Sequence, residues 1–500
     1  MSGGGSDNSI GLARTVDGEG LSRYPRLLLF VMCSAQLVLS IDFNVVNIAN
    51  PTIERELHFN AANLQWNITA YALTFGGFLL LGGRMVDLFG KRRLFVIGIV
   101  AFAATSLCAG TSHTMGELIA SRAAQGVCAA IVSPAVLALL AASFPEGRPR
   151  QRAYAMWATA GSIGGLVGLL VGGVITSQLG WRWIFFINVP VCALAVLGAA
   201  VVLPKMLPSN APRRKLDIPG AFTVTAGLAL VIYGLGEAES TSWTSRSTLV
   251  SLSLAPLFIL SFWWVERRSR EPLIPFALLR RRAAVANVLV VFQQSAGITT
   301  AFLAPLLLQQ VWGFSALHSG IATLPLPLGF GIGARVSAKV AARFGSKQII
   351  LAGFILIAIG CAWLTQVPFH ESYIFGFAVP MTIRSFGQGL VIVQVALVIT
   401  SGVPSADQGV AAGLFNMSGQ LGGSIGLAGI ATVLAAASAA AGGGRLGELH
   451  GIRVAFVVAA VLSLVATAVT VFGLRNRTAE RPSIESAPTS VEIAVVDEST

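Results

Sequence analysis

The chain has 500 residues, 54% of them apolar and only 11% charged, with a mean hydropathy of +0.75. A soluble domain carries roughly 25% charged residues, so the composition excludes an ordinary water-soluble enzyme or binding module. The net charge of +12 does not make it a nucleic-acid binder, because the basic residues sit in separated junctions rather than on one patch.

Residues 1–24 are Gly/Ser-rich and polar, without the apolar core of a signal peptide, and read as a disordered cytoplasmic tail. A bilayer-crossing helix needs about 20 mostly apolar residues. The apolar stretches predict spans at 27–48, 64–82, 94–110, 117–142, 154–177 and 183–203, then 218–235 and 249–265. Six more follow at 285–309, 319–342, 349–366, 373–400, 408–437 and 452–473. The fourteen predict an all-α polytopic membrane protein. Residues 475–500 are charged and aperiodic, and read as a second disordered cytoplasmic tail.

Nearly every second junction is basic: Arg84 and Lys91 to Arg93, then Arg148, Arg150 and Arg152, then Lys205 and Arg213 to Lys215. Arg267, Arg268, Arg270 and Arg280 to Arg282 follow, then Lys339, Arg343 and Lys347. Short basic loops stay in the cytoplasm during insertion. With Arg23 and Arg26 before the first span and Arg475, Arg477 and Arg481 after the last, both termini are expected there. The junction from Ser401 to Gln408 breaks the pattern, carrying Asp407 and no cation.

Glycines recur every four residues in the fifth span, at Gly164, Gly168 and Gly172, and again in the thirteenth, at Gly409 and Gly413 and at Gly422 and Gly426. Such spacing lets two helix backbones approach closely, as static packing or as a seam that slides. Cys33, Cys108, Cys128, Cys192 and Cys361 lie in apolar runs without paired spacing, and read as packing residues rather than metal ligands.

Ionisable groups inside a membrane are rare and mark function. Asp42 and Arg122 both fall roughly 8–9 Å inside the outer ends of the first and fourth predicted spans. Equal depth allows a carboxylate–guanidinium pair, in which an apolar setting and a nearby arginine act oppositely on proton affinity. These two are the proton-coupling candidates. In the second half, Arg384 lies near the middle of the twelfth span with Gln388 on the same face and Gln394 toward its edge, and Gln293 is a polar exception in the ninth. These four are the substrate-contact candidates. No P-loop or HExxH string occurs, and the one GxSxG string, Gly422 to Gly426, lies inside a predicted helix. No enzyme, metal or cofactor is expected.

The string Gly83-Arg-Met-Val-Asp87-Leu-Phe-Gly90-Lys91-Arg92-Arg93 closely resembles the signature loop of the major facilitator superfamily. Leu118 to Gly126, around Arg122, resembles the family's proton-relay arginine motif. Ile41-Asp42 to Asn47 and Pro51, Trp181 to Pro190, and Glu271 to Pro275 are similar to motifs of its fourteen-span drug:proton antiporters. The resemblance runs from about residue 25 to 475. It departs in the fifth span, where Leu169 follows Gly168 in place of a proline, and in the internal repeat of the signature loop, Ala338 to Lys347, which lacks the aspartate.

The resemblance implies a major facilitator fold: two six-helix bundles, 25–203 and 283–474, with two extra helices in a central segment, 204–282. It implies that Gly83, Asp87, Gly90 and Arg92 form a cytoplasmic latch that makes and breaks between conformations. The expected function is proton-coupled export of an amphipathic drug or antibiotic across the cytoplasmic membrane by one chain, driven by the proton motive force. A dedicated metabolite exporter and a proton-driven importer are the alternatives.

Overall fold

The computed structural model describes residues 25–57, 66–203, 217–269, 281–404 and 407–474, together with Pro272. The two predicted tails, the basic stretch Lys205 to Lys215 and the motif residues Glu271 and Leu273 to Pro275 lie outside the described residues.

The first six helices are α1 Pro25–Leu57, α2 Trp66–Phe89, α3 Lys91–Gly110, α4 Met115–Ser143, α5 Arg148–Gln178 and α6 Trp183–Val202. Then come α7 Ile218–Ser240 and α8 Arg246–Arg268. The last six are α9 Arg281–Leu306, α10 His318–Ala341, α11 Arg343–Leu364 and α12 Tyr373–Thr400, α13 Gln408–Ala440 and α14 Gly444–Gly473. Thirteen segments among the described residues are long and apolar enough to cross a membrane. The remaining helix, α5, has 31 residues and at 1.5 Å per residue spans about 46 Å.

Local sequence fixes the helix ends. Thr114 and Glu117 form a reciprocal capping box at the start of α4, with the Glu117 carboxylate accepting from the His113 and Thr114 amides at 2.8 and 3.2 Å. Asp217 caps α7 through the Gly220 amide at 2.9 Å. The α2–α3 turn is the single residue Gly90 at φ +95°, and the chain bends just inside the start of α11, at Gly345 with φ +76°. Both are left-handed conformations that suit glycine. The second copy of the signature loop has thus kept the turn while losing the aspartate.

One departure from the predicted spans matters for the site. Hydropathy puts the end of the first span at residue 48, but α1 continues to Leu57, fifteen residues beyond Asp42. An apolar run marks where hydrocarbon ends, not where the helix ends. Asp42 therefore lies about 22 Å from the helix terminus, while its distance from the end of the apolar run is unchanged.

In the first bundle α1 packs on α5 and α6, and α4 on α2 and α3; in the second, α12 packs on α10 and α11, and α13 on α9 and α14. The bundles meet where α13 crosses α2 and α4 and where α5 crosses α10 and α12. The extra helices lie beside this junction, α7 against α2 and α13 with α8 outside it. On α8, Leu257, Leu260, Trp263 and Trp264 are exposed, as on a lipid-facing surface. Arg267 and Arg268 stand 3.6 and 3.9 Å over the rings of Trp263 and Trp264, an interfacial belt at the helix end.

Candidate functional site

Asp42 and Arg122 meet in the core of the first bundle, where Asp42 is 0% and Arg122 1% exposed. Arg122 Nη1 donates to Asp42 Oδ2 at 2.6 Å and to Gln125 Oε1 at 2.9 Å, and its Nε donates to the Asn67 carbonyl at 3.2 Å. Asp42 Oδ1 accepts from Asn188 Nδ2 at 2.7 Å and from Gln125 Nε2 at 3.2 Å. Gln125 Nε2 also donates to Ser106 Oγ at 2.8 Å. The Tyr71 ring lies 4.4 Å from the guanidinium carbon. Five helices, α1, α2, α3, α4 and α6, each contribute a polar group.

A buried ion pair pays a desolvation cost that only good geometry and further hydrogen bonds offset. Here both carboxylate oxygens are occupied by donors. Protonation adds a donor to one oxygen without removing all its acceptor capacity, so the new O–H needs an acceptor inside a cluster that is already bonded. It also leaves the Arg122 charge without its counter-ion, because a guanidinium does not deprotonate in a protein. The cluster therefore cannot change ionisation without rearranging.

The first helix packs closely on the fifth on either side of Asp42. A Cβ built on Gly164 would stand 2.8 Å from the Leu37 carbonyl oxygen, and one on Gly168 2.9 Å from that of Ile41, while Gly172 faces Val45. The every-fourth glycines of α5 thus lie along every-fourth residues of α1, a seam inside one bundle. Of the α13 glycines, Gly422 and Gly426 pack inside the second bundle on Val291 and Ser295, but Gly409 and Gly413 pack across the bundle junction on α2.

At that junction Asp87 occupies the start of α13, its two oxygens accepting from the Gly409 and Val410 amides at 2.8 and 2.9 Å. A carboxylate suits the positive end of a helix dipole. Lys91 Nζ donates to Gln408 Oε1 at 2.9 Å, and Arg84 Nη1 lies 3.9 Å from Asp407 Oδ1. Nearby, Tyr154 Oη donates to Thr400 Oγ1 at 3.1 Å and the Gly402 amide donates to Glu146 Oε1 at 3.2 Å. The bundles are closed together at this end. Gly83 makes a close backbone approach and Gly90 a turn, while Arg92 does not face the junction: its Nη2 donates to the Ala200 carbonyl of α6 at 3.3 Å. The cations that cross are its neighbours Lys91 and Arg84. Asp407 and Gln408, at the end of the cation-free junction, face the first bundle's Arg84 and Lys91.

The four second-half candidates separate. Gln394 is buried within its own bundle, Nε2 donating to Ser337 Oγ of α10 at 2.9 Å, so helix packing accounts for it. Arg384 donates to the Ala296 carbonyl of α9 and, at 3.4 Å, to Gln388 Oε1. Gln388 is partly exposed. Gln293 is buried, and both its amide atoms lack a hydrogen-bond partner among the described residues.

Several polar residues escaped the sequence reading. Gln36, Ser40 and Asn44 form a partly exposed i, i+4, i+8 stripe on α1. Trp157 Nε1 donates to Gln36 Oε1 at 2.9 Å, and the Trp157 ring packs 6.0 Å from that of Phe415 on α13, which puts this stripe at the bundle junction. Four-residue spacing in an apolar helix was the available signal.

Residues 32–427 match the model of the Major Facilitator Superfamily. The chain is 36% identical to the puromycin resistance protein pur8 of Streptomyces alboniger over 82% of each chain. It is 35% identical to the cephamycin export protein CmcT of Amycolatopsis lactamdurans, covering 81% of this chain and 84% of that one. With the tetracenomycin C resistance and export protein of Streptomyces glaucescens it shares 31% identity over 86% and 79%. Among solved structures, the human organic anion transporter MFSD10 has a TM-score of 0.63 at 16% identity, covering 89% of this chain and 99% of that one. The proton:xylose symporter XylE gives 0.61 at 16% identity, covering 88% and 94%. These two structures share the fold.

Proposed function

The chain belongs to the major facilitator superfamily, a multi-pass membrane transporter and not an enzyme, and from that premise we propose that it exports an amphipathic organic compound in exchange for protons. The compound class is that of the antibiotics named in its relatives. The observation that carries the coupling is the sealed Asp42–Arg122 pair. Asp42 takes up a proton from outside, Arg122 and the amides of Gln125 and Asn188 favour its release, and the rearrangement between the two forms tilts one bundle against the other.

In this reading residues 25–203 and 283–474 are the two moving bundles. The end carrying Asp87 and Gly409 is cytoplasmic, and both termini lie on that side of the cytoplasmic membrane. Gly83, Asp87, Lys91 and Arg84 hold that end shut in the outward-facing conformation, with Asp87 capping α13. The polar stripe of α1, Trp157 and Gln388 line the substrate path. One chain suffices for a complete path.

A proton entering down 100 mV contributes about 2.3 kcal/mol, and one pH unit about 1.4 kcal/mol. Together they sustain a gradient of a few hundredfold, on the order expected for one proton per neutral substrate. Expression in an efflux-deficient host tests the reading. Lower accumulation of a susceptible antibiotic, restored by an uncoupler, is the expected outcome; accumulation that rises on expression and falls with the uncoupler would instead establish an importer. The names cephamycin export and tetracenomycin C export favour a second reading, a dedicated exporter of one endogenous product. Resistance confined to one compound in the panel selects it.

A further inference from the structure

Arg84, Arg122 and Arg384 are each 1% exposed. Two of them face carboxylates, Arg122 with Asp42 at 2.6 Å and Arg84 with Asp407 at 3.9 Å. Arg384 has no carboxylate within ion-pair distance among the described residues. Its contacts are neutral: the Ala296 carbonyl, Gln388 Oε1 at 3.4 Å and the buried Cys361 thiol, and its Nε has no hydrogen-bond partner among the described residues.

A second buried side chain, one helical turn from Ala296 on α9, is unsatisfied too. Gln293 stands three residues before Ala296, on the same face of α9. It is 1% exposed, and neither its amide nitrogen nor its amide oxygen is bonded among the described residues. A buried charge is costly without a partner of opposite sign, and a buried amide is costly without hydrogen bonds. Two such deficits along one face of α9 mark a position completed by something outside the chain. Gln388, which is partly exposed, lies with its amide against Gly297 of α9 and accepts from Arg384, so this position is not wholly sealed.

We propose that Arg384 and Gln293 form the subsite for an acidic group of the transported compound, so that the preferred substrate is an amphipathic carboxylate. This rests on the reading of the chain as an exporter of amphipathic organic compounds and narrows it. A guanidinium presents a planar fork of donors that matches a carboxylate in two parallel hydrogen bonds, which a lysine cannot reproduce. The Gln293 amide supplies a further donor. The bound carboxylate neutralises the second bundle's arginine as Asp42 neutralises the first's.

The test compares dansylglycine with its methyl ester, which differ only in the charged group, by fluorescence titration of the purified full-length protein in nanodiscs. The wild type is expected to bind the acid at least about tenfold more tightly than the ester, as one retained charge-assisted hydrogen bond provides. Arg384→Gln should bring the ratio close to one, and Arg384→Lys should keep part of it. Because the first comparison is made on the wild type, it does not depend on the variants folding. Equal affinities in the wild type, no binding of the acid, or a ratio unchanged in Arg384→Gln overturns the proposal. A parallel transport assay in proteoliposomes separates the two readings: acid-selective binding without proton-driven transport sinks proton-coupled export and leaves the carboxylate subsite standing.

Discussion

Gly83 of α2 and Gly409 of α13 meet backbone to backbone across the bundle junction, so close that a Cβ on either would overlap the carbonyl oxygen of the other. The same contact brings the Gly409 amide to Asp87 at 2.8 Å. Steric fit and helix capping are therefore satisfied together, and only when this end is shut.

Gly83→Val should wedge the junction without harming either bundle. The reporter is a disulfide between cysteines replacing Tyr154 and Thr400, whose side chains touch at 3.1 Å in the closed end, in a background lacking the five native cysteines. Efficient cross-linking is expected with Gly83 and strongly reduced cross-linking with valine. Equal cross-linking would show that the glycine pair does not govern closure.

Asp87→Ala removes the cap of α13. Losing such a cap costs about 0.5–2 kcal/mol, so the closed population should fall by about 2- to 30-fold relative to the open one. Spin-label distances across the same end measure it. Asp87→Asn, which retains an acceptor oxygen, should fall between alanine and wild type.

Gly168→Val acts inside one bundle instead. Its Cβ would press on the Ile41 carbonyl, next to Asp42. Overpacking of this kind costs about 1–3 kcal/mol. The expected result is a lower unfolding midpoint in detergent together with weaker transport, where Gly83→Val changes conformation with little loss of stability.

The Asp42–Arg122 pair predicts a pronounced non-additivity. Arg122→Leu alone leaves a buried carboxylate unpaired and should destabilise by about 3–5 kcal/mol. Adding Asp42→Asn should recover most of the stability, since no charge then remains buried, but none of the proton coupling. Thermal unfolding of the four proteins completes the cycle, and strict additivity would show that the pair is not coupled.

Much of this was written in the sequence. The runs of apolar residues located the helices, because a bilayer imposes a length. The Asp42–Arg122 pairing was legible as matched rarity, one acid and one base in otherwise apolar spans. The partners that complete it were not: Gln125 and Asn188 carry no charge, and Asn188 reaches Asp42 from 146 positions away. Arg92 misled because a run of three basic residues does not say which side chain crosses the junction; helical rotation sends Lys91 one way and Arg92 the other. Gln394 misled for a related reason, since an amide on the edge of a polar face serves helix packing as readily as a ligand.

The most direct measurement is substrate-driven proton flux through Asp42→Asn in proteoliposomes under an imposed pH gradient. With the carboxyl replaced by a group that cannot exchange a proton, flux should fall to the level of empty vesicles while substrate binding persists. Flux equal to the wild type in a correctly folded Asp42→Asn would remove that residue from the coupling.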